Sequence, residues 1–103
     1  MENKYIQIFT TTENKKEAEK IADVLVKEGL ATCVQIMGPI ESTYIWKGKT
    51  KKSKEWLCLI KTKTSRYGKV EEAIKSIHSY KVPEIIATPI IAGSVEYLKW
   101  LGA

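Results

Sequence analysis

Few side chains in this sequence can do chemistry, and several of them share one stretch, HSYKVPE, residues 78–84. His78 is the only histidine, and Tyr80 and Glu84 follow it closely. The two cysteines, Cys33 and Cys58, lie in apolar runs outside any CxxC pair or zinc-finger spacing. Thiolate and neutral imidazole are ligands that suit copper and zinc. One chain supplies a single imidazole, so a tight site needs a cysteine or a neighbouring subunit. The plainer reading of both cysteines is core packing, since a free thiol behaves as a small hydrophobe. For HSYKVPE the plainer reading is a helix end followed by a turn. A cation is favoured at a helix C-terminus, and Val82 before Pro83 is pushed into extended backbone. A turn needs the proline, however, and has no need of three polar side chains. The segment therefore reads as a binding element.

Catalysis has little support. The chain contains no GxxxxGK[ST], GxGxxG, HExxH or GxSxG pattern. A Ser-His-Asp arrangement would have to use His78 and the single aspartate, Asp23, which falls on the outer side of a helix. Lys61, Glu55 and Tyr80 are groups fit for acid-base work, but nothing names a substrate. The expectation is a protein that is not an enzyme and holds no organic cofactor.

Composition narrows the partners. The net charge is +5, and its densest source is KGKTKKSK, residues 47–54, with five lysines in eight positions. Sixteen of the seventeen basic residues are lysine, whereas bidentate recognition of phosphate or guanine favours arginine. The cluster reads as a solvated hairpin tip, with no nucleic acid expected. No run of about 20 apolar residues is present, so no membrane helix is expected. MENKYIQIF has neither a basic start nor a cleavable apolar block. The expected location is the cytoplasm, where both cysteines stay free thiols.

These residues need elements to position them. Tyr5–Phe9 alternates as a strand. Asn14 with Glu17 resembles a capping box, Ala18, Ile21, Ala22, Leu25 and Val26 keep helical spacing, and Gly29 is the stop. Leu30–Met37 reads as a strand that Gly38-Pro39 must bend. Extended structure resumes through Ile40, Tyr44 and Trp46, turns at Gly48, and returns as Glu55–Thr62. Ser65 caps a second helix with Tyr67, Val70, Ile74 and Ile77 inward. Ile85–Ile91 is a strand, and Ser94 caps a closing helix ending at Trp100-Leu101. The result is one α+β domain, residues 1–103, of ferredoxin-like split βαβ form: β-α-β-β-α-β plus a C-terminal helix on an antiparallel sheet. The strands are apolar on both faces. Ile6, Ile8, Trp56, Cys58 and Ile60 face one way, and Tyr5, Gln7, Phe9, Leu57 and Leu59 the other. Helices can cover only one face, so a self-assembled partner is expected on the second.

Three blocks, GLATCVQIMGPIESTYIWKGK, SKEWLCLIKT and HSYKVPEIIATPIIAGSVEYLKWL, resemble the CutA family of divalent-ion tolerance proteins across nearly the whole chain. The resemblance implies a ferredoxin-like subunit in a tight homotrimer, akin to the PII signalling proteins. It also implies tolerance of divalent metals, copper above all. Carried over by position, the metal-related residues are Cys33 and His78. Those lining a cleft between subunits are Gln35, Trp46, Glu55, Lys61, Tyr80 and Glu84. An alternative within the resemblance is a signalling or partner-binding module that uses this cleft for a small ligand. The sequence departs from the family's HPYEVPE at Ser79 and Lys81. The second change removes a carboxylate and sets a cation in its place.

Overall fold

The computed structural model describes residues 3–103. β1 (Tyr5–Thr12) leads to α1 (Lys15–Lys27), then β2 (Cys33–Trp46) and β3 (Lys49–Lys63). A 3-10 turn at Thr64–Arg66 opens α2 (Tyr67–Ile77), followed by β4 (Ile86–Pro89) and α3 (Val95–Leu101). The sheet has the order β2-β3-β1-β4, with every neighbouring pair antiparallel. The succession of elements is the expected one.

Local chemistry explains most boundaries. Asn14 is the N-cap of α1 and accepts a hydrogen bond from the Glu17 N–H at 2.8 Å, which satisfies an otherwise orphaned helix donor. After the helix, Gly29 takes φ +71°, a left-handed conformation that costs glycine nothing. Ser94 caps α3 through the Tyr97 N–H. The expected Ser65 cap is replaced. Ser65 lies inside the 3-10 turn, and Arg66 precedes α2 without a side-chain cap bond.

β1, β2 and β3 run further than the pattern predicts, and β4 is shorter than the expected Ile85–Ile91. β2 is continuous from Cys33 to Trp46 and crosses Gly38-Pro39 by a bulge between Met37 and Ile40. Two residues there oppose Trp56, so Met37 pairs with Leu57 and Ile40 with Glu55. The extra residue restores side-chain parity, and Ile40, Ser42, Tyr44 and Trp46 share the face of Met37. Gly38 is required on steric grounds, because a Cβ there would lie 2.5 Å from the Trp56 ring. At the tip, Trp46 pairs with Lys49 across Lys47 and Gly48, both with positive φ. That is the geometry of a two-residue hairpin turn whose twist matches its strands.

The register confirms the two-sided sheet. On the face toward α1 and α2, Ile8 opposes Ile60 and Thr10 opposes Cys58. Together with Ile21, Leu25, Val70 and Ile74 these are wholly buried. On the other face, Phe9 opposes Leu59 and Thr11 opposes Leu57. The short α3 reaches only one end of that face, where a Cβ on Gly102 would meet the Tyr5 hydroxyl. β1 pairs with β3 only as far as Thr12 and Trp56. Beyond that point β2 and β3 continue as a two-stranded arm whose Tyr44, Ile45 and Trp46 are exposed.

Candidate functional site

The HSYKVPE turn is built around His78. Its backbone N–H closes the last bond of α2 to the Ile74 carbonyl, and its backbone then becomes extended. The side chain is fully buried. Nδ1 accepts the Tyr80 N–H at 3.0 Å, so the proton resides on Nε2, which donates to the Thr11 carbonyl at 2.6 Å. Both ring nitrogens are therefore engaged. Glu17 Oε2 lies 3.5 Å from Nδ1, and that carboxylate also accepts from the Ser79 N–H. The Ser79 hydroxyl sits 2.9 Å from Glu17 and 3.0 Å from Glu13. The turn is thus tied to the start of α1 and the end of β1.

This anchoring sets the direction of Tyr80. Its ring lies 4.9 Å from the imidazole, and its hydroxyl donates to Glu55 at 2.9 Å. Glu55 is buried on β3, on the face away from α1 and α2. Burial pushes the Tyr80 phenol well above its ordinary pKa, and the Glu55 hydrogen bond and charge push the same way. Glu55, Tyr80 and Glu84 line a cavity of about 410 Å³ with Thr11, Ser42, Thr43, Tyr44 and Val82. Its oxygen donors are of the kind hard divalent cations take.

The other expected residues fall elsewhere. Lys61 donates to Gln35 at 2.7 Å. That pair is six residues along β3 from Glu55, about 20 Å at ordinary strand rise. Trp46, on the arm, joins Tyr80 around a neighbouring cavity of about 670 Å³. Cys33 pairs with Lys61 at the outer strand of the sheet, on the face away from α1 and α2. It is half-buried near the Tyr97 hydroxyl, whose pKa is raised by burial first and then by Cys33. His78 bonds to Thr11, which stands opposite Leu57. Cys33 lies two strands across and four residues along from that point. Within one chain the two expected ligands are therefore far apart, and His78 offers no free lone pair. Among the described residues no three His, Cys, Asp or Glu groups come together as a metal cluster.

Cys58 is structural, as expected. It is buried, and burial followed by the Glu17 charge pushes its thiol up to about 11. Glu17 is the anchoring residue of the turn that sequence reasoning missed. It was assigned to the Asn14 capping box, and its carboxylate instead holds Ser79. The pairing spans 62 positions, and the only local hint was an acidic residue in a first turn.

Comparison with known proteins agrees with this architecture. A family model described as CutA1 divalent ion tolerance protein matches residues 6–103. The chain is similar to the divalent-cation tolerance protein CutA of Thermus thermophilus, 43% identical over 94 residues and 91% of each chain. It is also similar to the chloroplastic CutA protein of Arabidopsis thaliana, 43% identical over 96 residues, and there it spans only 53% of the relative's length. The crystal structure of CutA1 from the psychrotrophic bacterium Shewanella sp. SIB1 superimposes with a TM-score of 0.95 at 40% identity, covering 98% of this chain and 94% of that one.

Proposed function

Because this chain belongs to the CutA1 divalent ion tolerance family, we propose that it works as a non-enzymatic homotrimer that binds a divalent metal ion, copper first, through Cys33. The observation that carries this reading is the sheet face left uncovered by α1 and α2, with its unsupported β2–β3 arm. An isolated two-stranded ribbon is marginal in water, and an apolar sheet face favours association. Threefold packing of ferredoxin-like subunits would cover both and bring residues of different chains together. Cys33 lies on that face at an outer strand, so a neighbour can complete its ligand shell. His78 serves first to hold the turn, and ligation through it requires both ring hydrogen bonds to open. The setting we propose is a reducing cytoplasm, in which the two thiols remain free.

Calorimetric titration of the reduced, demetallated protein with copper and zinc tests this reading, alongside Cys33→Ser and His78→Ala variants of checked oligomeric state. Saturable copper uptake near one ion per chain, abolished in Cys33→Ser and only weakened in His78→Ala, is expected. Equal loss in both variants would make the imidazole a ligand as well. Uptake indifferent to Cys33→Ser would refute the proposed site. A second reading, a PII-like module whose cleft takes a ligand or partner, is favoured by the Glu55–Tyr80 pair and the cavity beside it.

A further inference from the structure

The short α3 closes on the start of β2, where Cys33 lies. Ser94 caps its first turn through the Tyr97 N–H. At the other end Leu101 is wholly buried, and its carbonyl accepts the Thr32 hydroxyl at 2.7 Å. Thr32 is the residue before Cys33, so this bond pins the helix to the strand that carries the thiol. Tyr97 and Leu101 are four positions apart and share one face of the helix. Tyr97 therefore stands one turn back on the face that Leu101 turns to the sheet, with its ring 5.5 Å from that of Trp100. The Tyr97 phenol is raised by burial and then by Cys33, an effect that requires the hydroxyl and the sulfur to be neighbours. Across the ladder Cys33 pairs with Lys61, whose ammonium is drawn to Gln35 at 2.7 Å. The Tyr97 hydroxyl is then the donor that the fold delivers to the Cys33 sulfur.

We propose that Tyr97 is a positioning residue for the metal site, its hydroxyl donating to the Cys33 sulfur and aiming it at the ion. The proposal rests on the reading of Cys33 as a ligand and adds the group that orients it. A cysteine side chain has three staggered χ1 positions, and a donor held by a helix selects one of them. A thiolate keeps lone pairs after it binds a metal, and a hydroxyl donating to one of them tempers the charge on the sulfur and steadies the bond. Tyr97 belongs to the same chain as Cys33, so the sulfur is oriented before a neighbouring subunit supplies further ligands. Assembly over this end of the sheet keeps the contact, because it lies wholly within one chain. α3 then does more than close the chain: the Ser94 cap, the Trp100 ring and the Thr32 bond all serve to fix Tyr97.

The test sets Tyr97→Phe, which keeps the ring and removes only the hydroxyl, beside the unaltered protein and Cys33→Ser, each as the whole reduced assembly. In the metal-free protein, NMR of isotope-labelled cysteine β-carbons reads the orientation of each sulfur. Cys33 is expected to give one sharp signal that splits or broadens in Tyr97→Phe, while the Cys58 signal stays in place. Copper affinity should fall about tenfold or more in Tyr97→Phe. The thiolate-to-metal charge-transfer band of the cobalt-loaded protein should move as well, with oligomeric mass and melting temperature unchanged. An unmoved Cys33 signal would overturn the proposal, as would a lost affinity that comes with a lowered melting temperature and an unmoved band. Copper uptake that needs Cys33 but ignores Tyr97→Phe would overturn it and leave the Cys33 site in place. Uptake indifferent to Cys33→Ser would remove that site, and the positioning role with it.

Discussion

The two faces of the sheet are made from the same strands and have different fates. Toward α1 and α2, Ile8, Cys58 and Ile60 are wholly buried and need nothing outside the chain. On the other side, Leu57 and Leu59 are only partly covered, and Met37 and Ile86 are each 54% exposed. Each face also holds one cysteine. Cys58 is sealed among the helices, and Cys33 lies at an outer strand beside Tyr97. The first face accounts for why the chain folds, and the second is where the proposed assembly and metal site would lie. Polar groups on the second face are paired in the plane of the sheet, Lys61 with Gln35 and Tyr80 with Glu55. A covering partner would then meet few unsatisfied groups.

Substitutions one residue apart on β3 should separate these faces most sharply. Ile60→Ala empties a fully buried site and should cost about 2–5 kcal/mol, read as a lowered denaturant midpoint. Leu59→Ala should cost the subunit less and should act mainly on assembly, seen as a concentration-dependent mass. Equal effects on midpoint and mass would erase the distinction. Next in size is Tyr80→Phe, which strips the hydrogen bond from the buried Glu55. A loss of about 1–3 kcal/mol is expected, accompanied by faster amide exchange through residues 78–84. An unchanged exchange pattern would mean that the turn does not depend on Glu55.

The cysteines give the finest comparison. Folding raises the Cys58 thiol from 9.0 to about 11, so the native state holds a proton that the unfolded state releases. Stability from this group is present below about pH 9 and is lost as pH climbs toward 11. A Cys58→Ala variant should show a flatter stability profile across that window. An alkylating reagent at neutral pH should label Cys33 and spare Cys58 until the protein unfolds. Labelling of both at equal rates would contradict the sealed face.

Much of this was legible in the sequence because it depends on near neighbours. The Asn14 cap, the Gly29 stop and the alternation of β1 are fixed by residues within one or two turns of each other. The two apolar faces followed from period-two spacing alone. The continuous β2 was not legible, because a Gly-Pro pair reads as a break until Trp56 on the partner strand is seen to occupy the space of the missing Cβ. The start of α2 was misjudged because Thr64–Arg66 forms a 3-10 turn tied to the N-terminal strand, with the Thr64 hydroxyl on the Asn3 carbonyl. The site was half legible. Tyr80, Glu55 and Glu84 do converge, but the hold on His78 comes from Thr11 and that on Ser79 from Glu17. Contacts across more than sixty positions leave no periodic trace.

The most direct test of the account is the native mass of the full, reduced protein at micromolar concentration. A species of three times the 11.7 kDa of one chain, shifted toward single chains by Leu59→Lys, is the predicted result. A single-chain mass for the unaltered protein would mean that the uncovered face needs no second copy, and the metal site completed by a neighbouring subunit would fall with it.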